Sequence, residues 1–364
     1  MKYLIEFRDP LAIRKISEQI KQLCTKPWKI MEVCGGQTHS IVKYQLEQIL
    51  PSMIQMVHGP GCPVCVTPQG IIDAAIHLVT KEKILLATFG DMIRVPGDQG
   101  SLLEARAQGA KIEIVYSPLD AVKLAQKHFD QQVVFLAVGF ETTSLPNAIA
   151  VLQAQKLGLT NFSLLAHQVR VPPAIATIMD NTESKVQGFL AAGHVCTITG
   201  TSEYVPLSEK YKVPIVITGF EPVDILLGIR KVIEMLEMGV SKVENEYSRS
   251  VRPEGNIAAI DILNKVFIRV AQEWRGIGII PESGLALREE FSNFDATQRW
   301  IIPDFTSSSK LSECHASKVL QGLIRPTECP YFGTKCTPQN PLGAPMVSSE
   351  GACAAYFEYS DNNH

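Results

Sequence analysis

The chain has 364 residues, enough for two or three domains, with 46% hydrophobic and 20% charged residues, as soluble globular proteins do. Its net charge of −3 and the lack of any basic run interleaved with aromatics argue against nucleic acid as a partner. Charges are scattered through MKYLIEFRDPLAIRKISEQI and the longest apolar runs are too short to span a bilayer, so the expectation is a cytoplasmic protein with neither signal peptide nor membrane contact.

In chain order, short β-branched runs predict strands at Ile30–Val33, Ile54–Val57, Ile84–Ala87, Ile112–Tyr116, Val133–Val138, Ser163–Ala166 and Pro214–Thr218. Helical patterns fall between them at Ile41–Ile49, Ile71–Thr80, Leu119–Phe129, Asn147–Lys156 and Val223–Met238. This alternation predicts α/β architecture: two consecutive parallel-sheet α/β domains, then a mainly helical or irregular domain. The expected division is an N-terminal segment 1–50 packing on the C-terminal domain, α/β domains over 51–130 and 131–240, and a C-terminal domain over 241–364. PEGNIAAIDILNKVFIRVAQEWRG reads as one long helix stopped at Gly276. Beyond Arg325 the chain is loop-like, with too little apolar periodicity to fold by burial alone; a metal centre would supply the constraint.

Nine cysteines without a secretory leader point to metal or redox chemistry rather than a disulfide framework. Cys34, Cys62 and Cys65 lie in Gly-rich loops near the front; Cys314, Cys329, Cys336 and Cys353 crowd the end; Cys24 and Cys196 read as small buried residues. Three loops follow predicted strands, where open α/β sheets place their sites. In EVCGGQTHS, Cys34 ends a strand and His39 opens a helix, and a thiolate near a helix N-terminus suits metal binding or nucleophilic attack. A tight turn capped by Thr38 explains that loop equally well. In HGPGCPVCVTPQG, the C-x-x-C of Cys62 and Cys65 suits a reversible disulfide or two ligands to one metal. In AVGFETTSLPNA, Glu141 is a charge at a strand end, although GFEP at 219–222 shows that GFE alone does not mark catalysis. His167, His194 and Asp98 are lone polar residues in loop contexts, for which a structural role is as good an account.

The rear set reads C-x14-C-x6-C-x16-C. Four thiolates suit zinc or a 4Fe-4S cluster, and the absence of short C-x2-4-C knuckles favours the cluster modestly. GGQTH and GPG match neither phosphate-binding glycine motif, so no nucleotide site is claimed and nucleotide binding stays open.

Taken together, CGGQTH at 34–39, GPGCPVC at 59–65, GFETT at 139–143, PEGN at 253–256 and CTPQNP…MVSSEGACAA resemble the HypD family of hydrogenase maturation factors, over residues 6–360. The resemblance implies two α/β domains plus a cluster domain, and a scaffold for the Fe(CN)2CO unit of nickel–iron hydrogenases. It implies an accessory assembly factor with redox activity rather than a turnover enzyme. It makes Cys34, Cys62 and Cys65 the iron-site and redox cysteines, and Cys314, Cys329, Cys336 and Cys353 the 4Fe-4S ligands. The implied partners are a small chaperone, HypC, and the cyanide-delivering HypE. Where many relatives carry further cysteines this chain has Ala316 and Ala344, which removes those positions from the ligand list. His39, Glu141 and His194 are the candidate proton donors or supports around the iron. Two readings from other classes stand beside this one: a thiol–disulfide oxidoreductase acting on protein partners, and a zinc-stabilised binding module.

Overall fold

A computed structural model describes residues 5–305 and 313–359. Eleven strands sort into three sheets among the described residues. They are β1 (Trp28–Glu32), β2 (Ile54–His58), β3 (Leu85–Thr88), β4 (Ile112–Ile114), β5 (Val133–Gly139), β6 (Phe162–Gln168), β7 (Gly188–Ala192), β8 (Ile215–Thr218), β9 (Val243–Asn245), β10 (Phe267–Trp274) and β11 (Gly278–Leu287). The first sheet is wholly parallel in the order β2-β1-β7-β8-β9, and the second, also parallel, runs β4-β3-β5-β6. The expected α/β architecture with parallel sheets is therefore present.

The sheets do not follow the sequential segments 51–130 and 131–240. β5 and β6 join β3 and β4, whereas β7 returns to pair with β1, Ile30 opposite Gly188. The second sheet is thus an insertion between two halves of the first. Each sheet contains one place where neighbouring strands send their connections in opposite directions, β1/β7 in one and β3/β5 in the other. Ligands of open α/β sheets bind outside the carboxyl ends of the strands at such switch points.

Burial explains why these runs became strands. All seven residues of β5 are buried, as a parallel strand covered on both faces requires. On β1, Ile30 packs with the helices Pro10–Leu23 and Pro222–Glu237, while its neighbour Met31 faces a second core shared with Cys34, Cys62 and Cys65. The helix Pro10–Leu23 starts at an Asp9 side chain that accepts the Leu11 N–H at 2.9 Å. The helix at 141–156 begins at Glu141, ahead of the predicted start at Asn147, and carries Pro146 inside it. A proline that early removes a single intrahelical hydrogen bond, which packing of Ala148, Val151 and Ala154 against one face of the second sheet outweighs.

The long helix expected over 253–276 is a correction. A helix covers only Ile257–Val266, and the chain then turns into β10, which pairs antiparallel with β11. Apolar residues of FIRVAQEW fit either period, and Gly276, with φ of +74°, is the hairpin turn rather than a helix stop. The C-terminal portion is short helices and turns ending in Ala352–Tyr359, which packs on the helix Gly35–Lys43. No helix among the described residues is long and apolar enough to cross a membrane.

Candidate metal and redox site

Cys34 is the residue before the helix Gly35–Lys43, at the carboxyl end of β1 and next to the β1/β7 switch point. The Cys62 loop crosses it backbone to backbone: the Gly35 N–H donates to the Gly61 carbonyl at 2.9 Å, and a Cβ on Gly61 would collide with the Cys34 and Val33 main chain. Only glycine allows that approach. Cys62 and Cys65 follow at the start of the short helix Pro63–Val66 and are joined as a disulfide, with Cα atoms 5.3 Å apart. All three cysteines are buried in one core, at 1%, 3% and 0% exposure.

The surroundings of Cys34 come from four stretches of chain. His194, at the carboxyl end of β7, places Nδ1 3.7 Å from the Cys34 Sγ. Phe220, from the GFEP turn after β8, packs on His194 with ring centroids 5.2 Å apart and closes over Gly36. Burial pushes the Cys34 thiol far up from its ordinary range, assisted by the Glu32 charge, while the backbone N–H groups of Gln37 and Gly36 pull the other way. Burial also lowers His194 to about 4, so the imidazole beside the thiol is neutral at neutral pH.

Beneath the thiol lies a buried polar chain. Glu32 accepts the Cys34 N–H at 2.8 Å, the Thr38 hydroxyl, and His58 Nδ1 at 2.7 Å. His58 Nε2 meets the Tyr356 hydroxyl at 3.0 Å, and Tyr356 donates to Glu47 at 2.9 Å. This chain ties the first cysteine loop to the C-terminal helix. Glu32, His58 and Tyr356 were missed in the sequence; a fully buried acid within an apolar strand was the available signal.

Other predicted residues lie elsewhere. His39 directs Nδ1 to the Ser349 carbonyl at 3.2 Å and stacks edge-on against Tyr359, so it ties the helix Gly35–Lys43 to the C-terminal segment. Glu141 accepts the Val171 N–H at 3.2 Å and lines a separate cavity with Arg170 and Glu203. His167 Nε2 donates to the Glu273 carbonyl at 2.9 Å, holding β6 to the hairpin, and Asp98 accepts from Gln69 at 3.0 Å. Cys24 donates to the Lys26 carbonyl, and Cys196 is buried, its thiol pushed up to about 12.

The rear cysteines come from three turns and one helix. Cys353 feels the charges of Cys314, Cys336 and Cys329, and Cys314 feels those of Cys336 and Cys329. Burial raises the thiols of Cys314, Cys336 and Cys353. The Leu342 N–H donates to Cys336 Sγ at 3.4 Å, and Gly343 packs so closely that a Cβ would strike Cys314 Sγ. Among the described residues no three Cys, His, Asp or Glu side chains converge on one metal-ion position. The hairpin turn lies between the two cysteine sets. Arg275 donates its N–H to the Val66 carbonyl at 2.7 Å and stands close enough to Cys314 to oppose the rise that burial imposes on its thiol, while Ser317 bonds the Gly276 carbonyl.

With this geometry in place, the relatives decide the family. A family model named HypD, described as "Hydrogenase formation hypA family", matches residues 11–360. The chain belongs to the HypD family. It is 43% identical to the hydrogenase expression/formation protein HupD of Azotobacter chroococcum mcd 1, over 99% of this chain and 97% of that protein. It is 42% identical to the hydrogenase maturation factor HypD of Azotobacter vinelandii, with the same coverage. Against the HypD of Escherichia coli (strain K12) the identity is 40%, over 99% of this chain and 98% of that one. The family resemblance of the five motifs is thus established over nearly the whole chain, and it makes this a hydrogenase maturation factor.

Proposed function

We propose that this HypD chain is a scaffold for the Fe(CN)2CO unit of nickel–iron hydrogenases, with iron as its cargo. The observation that carries this reading is the crossing of CGGQTH by GPGCPVC, which puts Cys34 and the Cys62–Cys65 pair in one buried core. Soft thiolates suit low-spin iron bearing π-acceptor ligands. Cys34 is the direct ligand in this reading, with Cys62 and Cys65 as further iron or redox cysteines. A thiol held protonated by burial gives up its proton on coordination, and neutral His194 at 3.7 Å is placed to receive it.

Reducing the Cys62–Cys65 disulfide takes two electrons and two protons and yields the dithiol. Cys314, Cys329, Cys336 and Cys353 would hold a 4Fe-4S cluster: four thiols within one another's electrostatic reach, with a backbone N–H on Cys336, have the donor chemistry such a group takes. Bound there, it would supply single electrons. HypC and HypE are the partners this reading calls for, in the cytoplasm.

The test replaces Cys34 with Ala and records iron–cyanide vibrational bands in the complex purified with the chaperone. The bands should vanish, and undiminished intensity would sink the ligand role. The observed disulfide also admits a thiol–disulfide oxidoreductase acting on protein partners. Near-complete burial of both sulfurs opposes it, because a partner disulfide must reach the attacking thiolate.

A further inference from the structure

Two of the recognisable motifs place an acidic side chain away from the cysteines. GFETT supplies Glu141, at the carboxyl end of β5 beside the β3/β5 switch point, and PEGN supplies Glu254. Both line one cavity of about 520 Å³, enclosed by the carboxyl ends of β5 and β6, the 199–203 segment after β7, the helix Ile257–Val266 and the β10–β11 hairpin. No cysteine among the described residues lines it.

Charge is arranged in this cavity by depth. Glu141, 2% exposed, has one carboxylate oxygen on the Val171 N–H and the other, Oε2, buried without a hydrogen-bond partner. A buried carboxylate oxygen left unpaired is destabilising, and a donor from outside would satisfy it. Arg170 and Arg269 are both engaged with Glu203. That leaves Glu141 at the floor, Glu254 at the mouth, and Arg288 on the exposed rim, its Nε bonded to the Asn264 carbonyl at 2.7 Å. Three carboxylates and three guanidinium groups line the cavity in all, so a ligand bearing one net charge would unbalance it, whereas one bearing both signs would not. The apolar wall of Ile260, Leu263, Phe267 and Leu285 suits a short aliphatic body.

We infer that this cavity binds a small zwitterion of the amino-acid class, its ammonium group on Glu141 and its carboxylate at Arg288. Burial has already pushed Glu141 up to about 7, with Arg170 opposing; an ammonium donor would supply the hydrogen bond that the protein withholds. None of the cysteines lines the cavity, and the inference does not depend on the iron reading.

The test is calorimetric titration of the intact protein with each of the protein amino acids in turn. At least one should bind with a Kd in the micromolar-to-millimolar range. Its N-acetyl and carboxamide derivatives should each bind about tenfold more weakly or worse, as should Glu141→Gln and Arg288→Ala, since each change removes a charged hydrogen bond. Arg288 is exposed, so its variant reports on binding even if the buried Glu141 substitution unfolds the chain. Cys34→Ala should bind the amino acid as the parent does, which separates this result from the iron test. Absence of binding across the panel, full affinity in the blocked derivatives, or parental affinity in Arg288→Ala would each overturn the assignment.

Discussion

Glu32→Gln tests whether the buried polar chain holds Cys34 in place. The carboxylate has no exposure and accepts three donors, the Cys34 N–H, the Thr38 hydroxyl and His58 Nδ1. Glutamine offers one acceptor oxygen and one amide group, so it keeps the Cys34 N–H only if the Thr38 hydroxyl and His58 Nδ1 both turn to accept, and in the other orientation it strands a donor. Losing a hydrogen bond to a charged acceptor costs about 1.5–3 kcal/mol, and a stranded donor would add about 1–3 kcal/mol, giving about 1.5–6 kcal/mol in all. In a chain of this size 1 kcal/mol lowers Tm by about 2 °C, so the expected drop is about 3–12 °C by scanning fluorimetry. Cys34 should also alkylate faster, because its own N–H loses its anchor. Tyr356→Phe removes the next link, and the two changes together should cost less than their sum, since they share His58. A Tm within about 1 °C of the parent, with unchanged alkylation, would refute the idea that this chain positions the loop.

Gly61→Ala should abolish the loop crossing, because the added methyl meets Cys34 and Val33 backbone that cannot rotate away; a loss of about 3 kcal/mol or more is expected, read as Tm. Trp274→Ala empties a fully buried site that packs on Phe140 and bonds Ser283 at 2.8 Å, and should cost about 3–5 kcal/mol. His167, lowered by burial from 6.5 to about 4, contributes stability that is complete above pH 6.5 and lost as pH falls through 4. Tm should therefore decline across that window, less steeply in His167→Gln. Anaerobically purified protein should contain iron and sulfide in equal amounts and lose both in Cys353→Ala; a colourless, zinc-loaded protein would overturn the cluster.

How much of this was legible follows from which interactions are local. The strands read from sequence are runs such as VVFLAV, whose burial on both faces leaves a continuous apolar signature. β7, GFLAA, was missed because its small residues carry little β signal, and its place is fixed by pairing with β1 some 158 positions away, the separation of Lys29 and its partner Gln187. The hairpin was misread because FIRVAQEW satisfies both periods, and only the antiparallel partner after Gly276 settles which one holds. Cysteine positions were plain, whereas Glu32, His58 and Tyr356 were not, since each looks ordinary until the fold brings all three together.

The insertion topology explains why the site needs such distant motifs. β1 and β7 are neighbours whose connections leave in opposite directions, so the loop bearing Cys34 and the loop bearing His194 open onto the same crevice. Between those two strands the chain builds the whole second sheet, and that excursion carries GPGCPVC out of β2 and back across Cys34. A slip of β7 by one residue against β1 would turn Phe189 and Ala191 away from the cysteine core and carry His194 with them. The register of one buried strand pair therefore sets the distance between thiol and imidazole, and the sequence between residues 60 and 187 is free to vary in length only where it leaves that pair and the Gly61 crossing undisturbed.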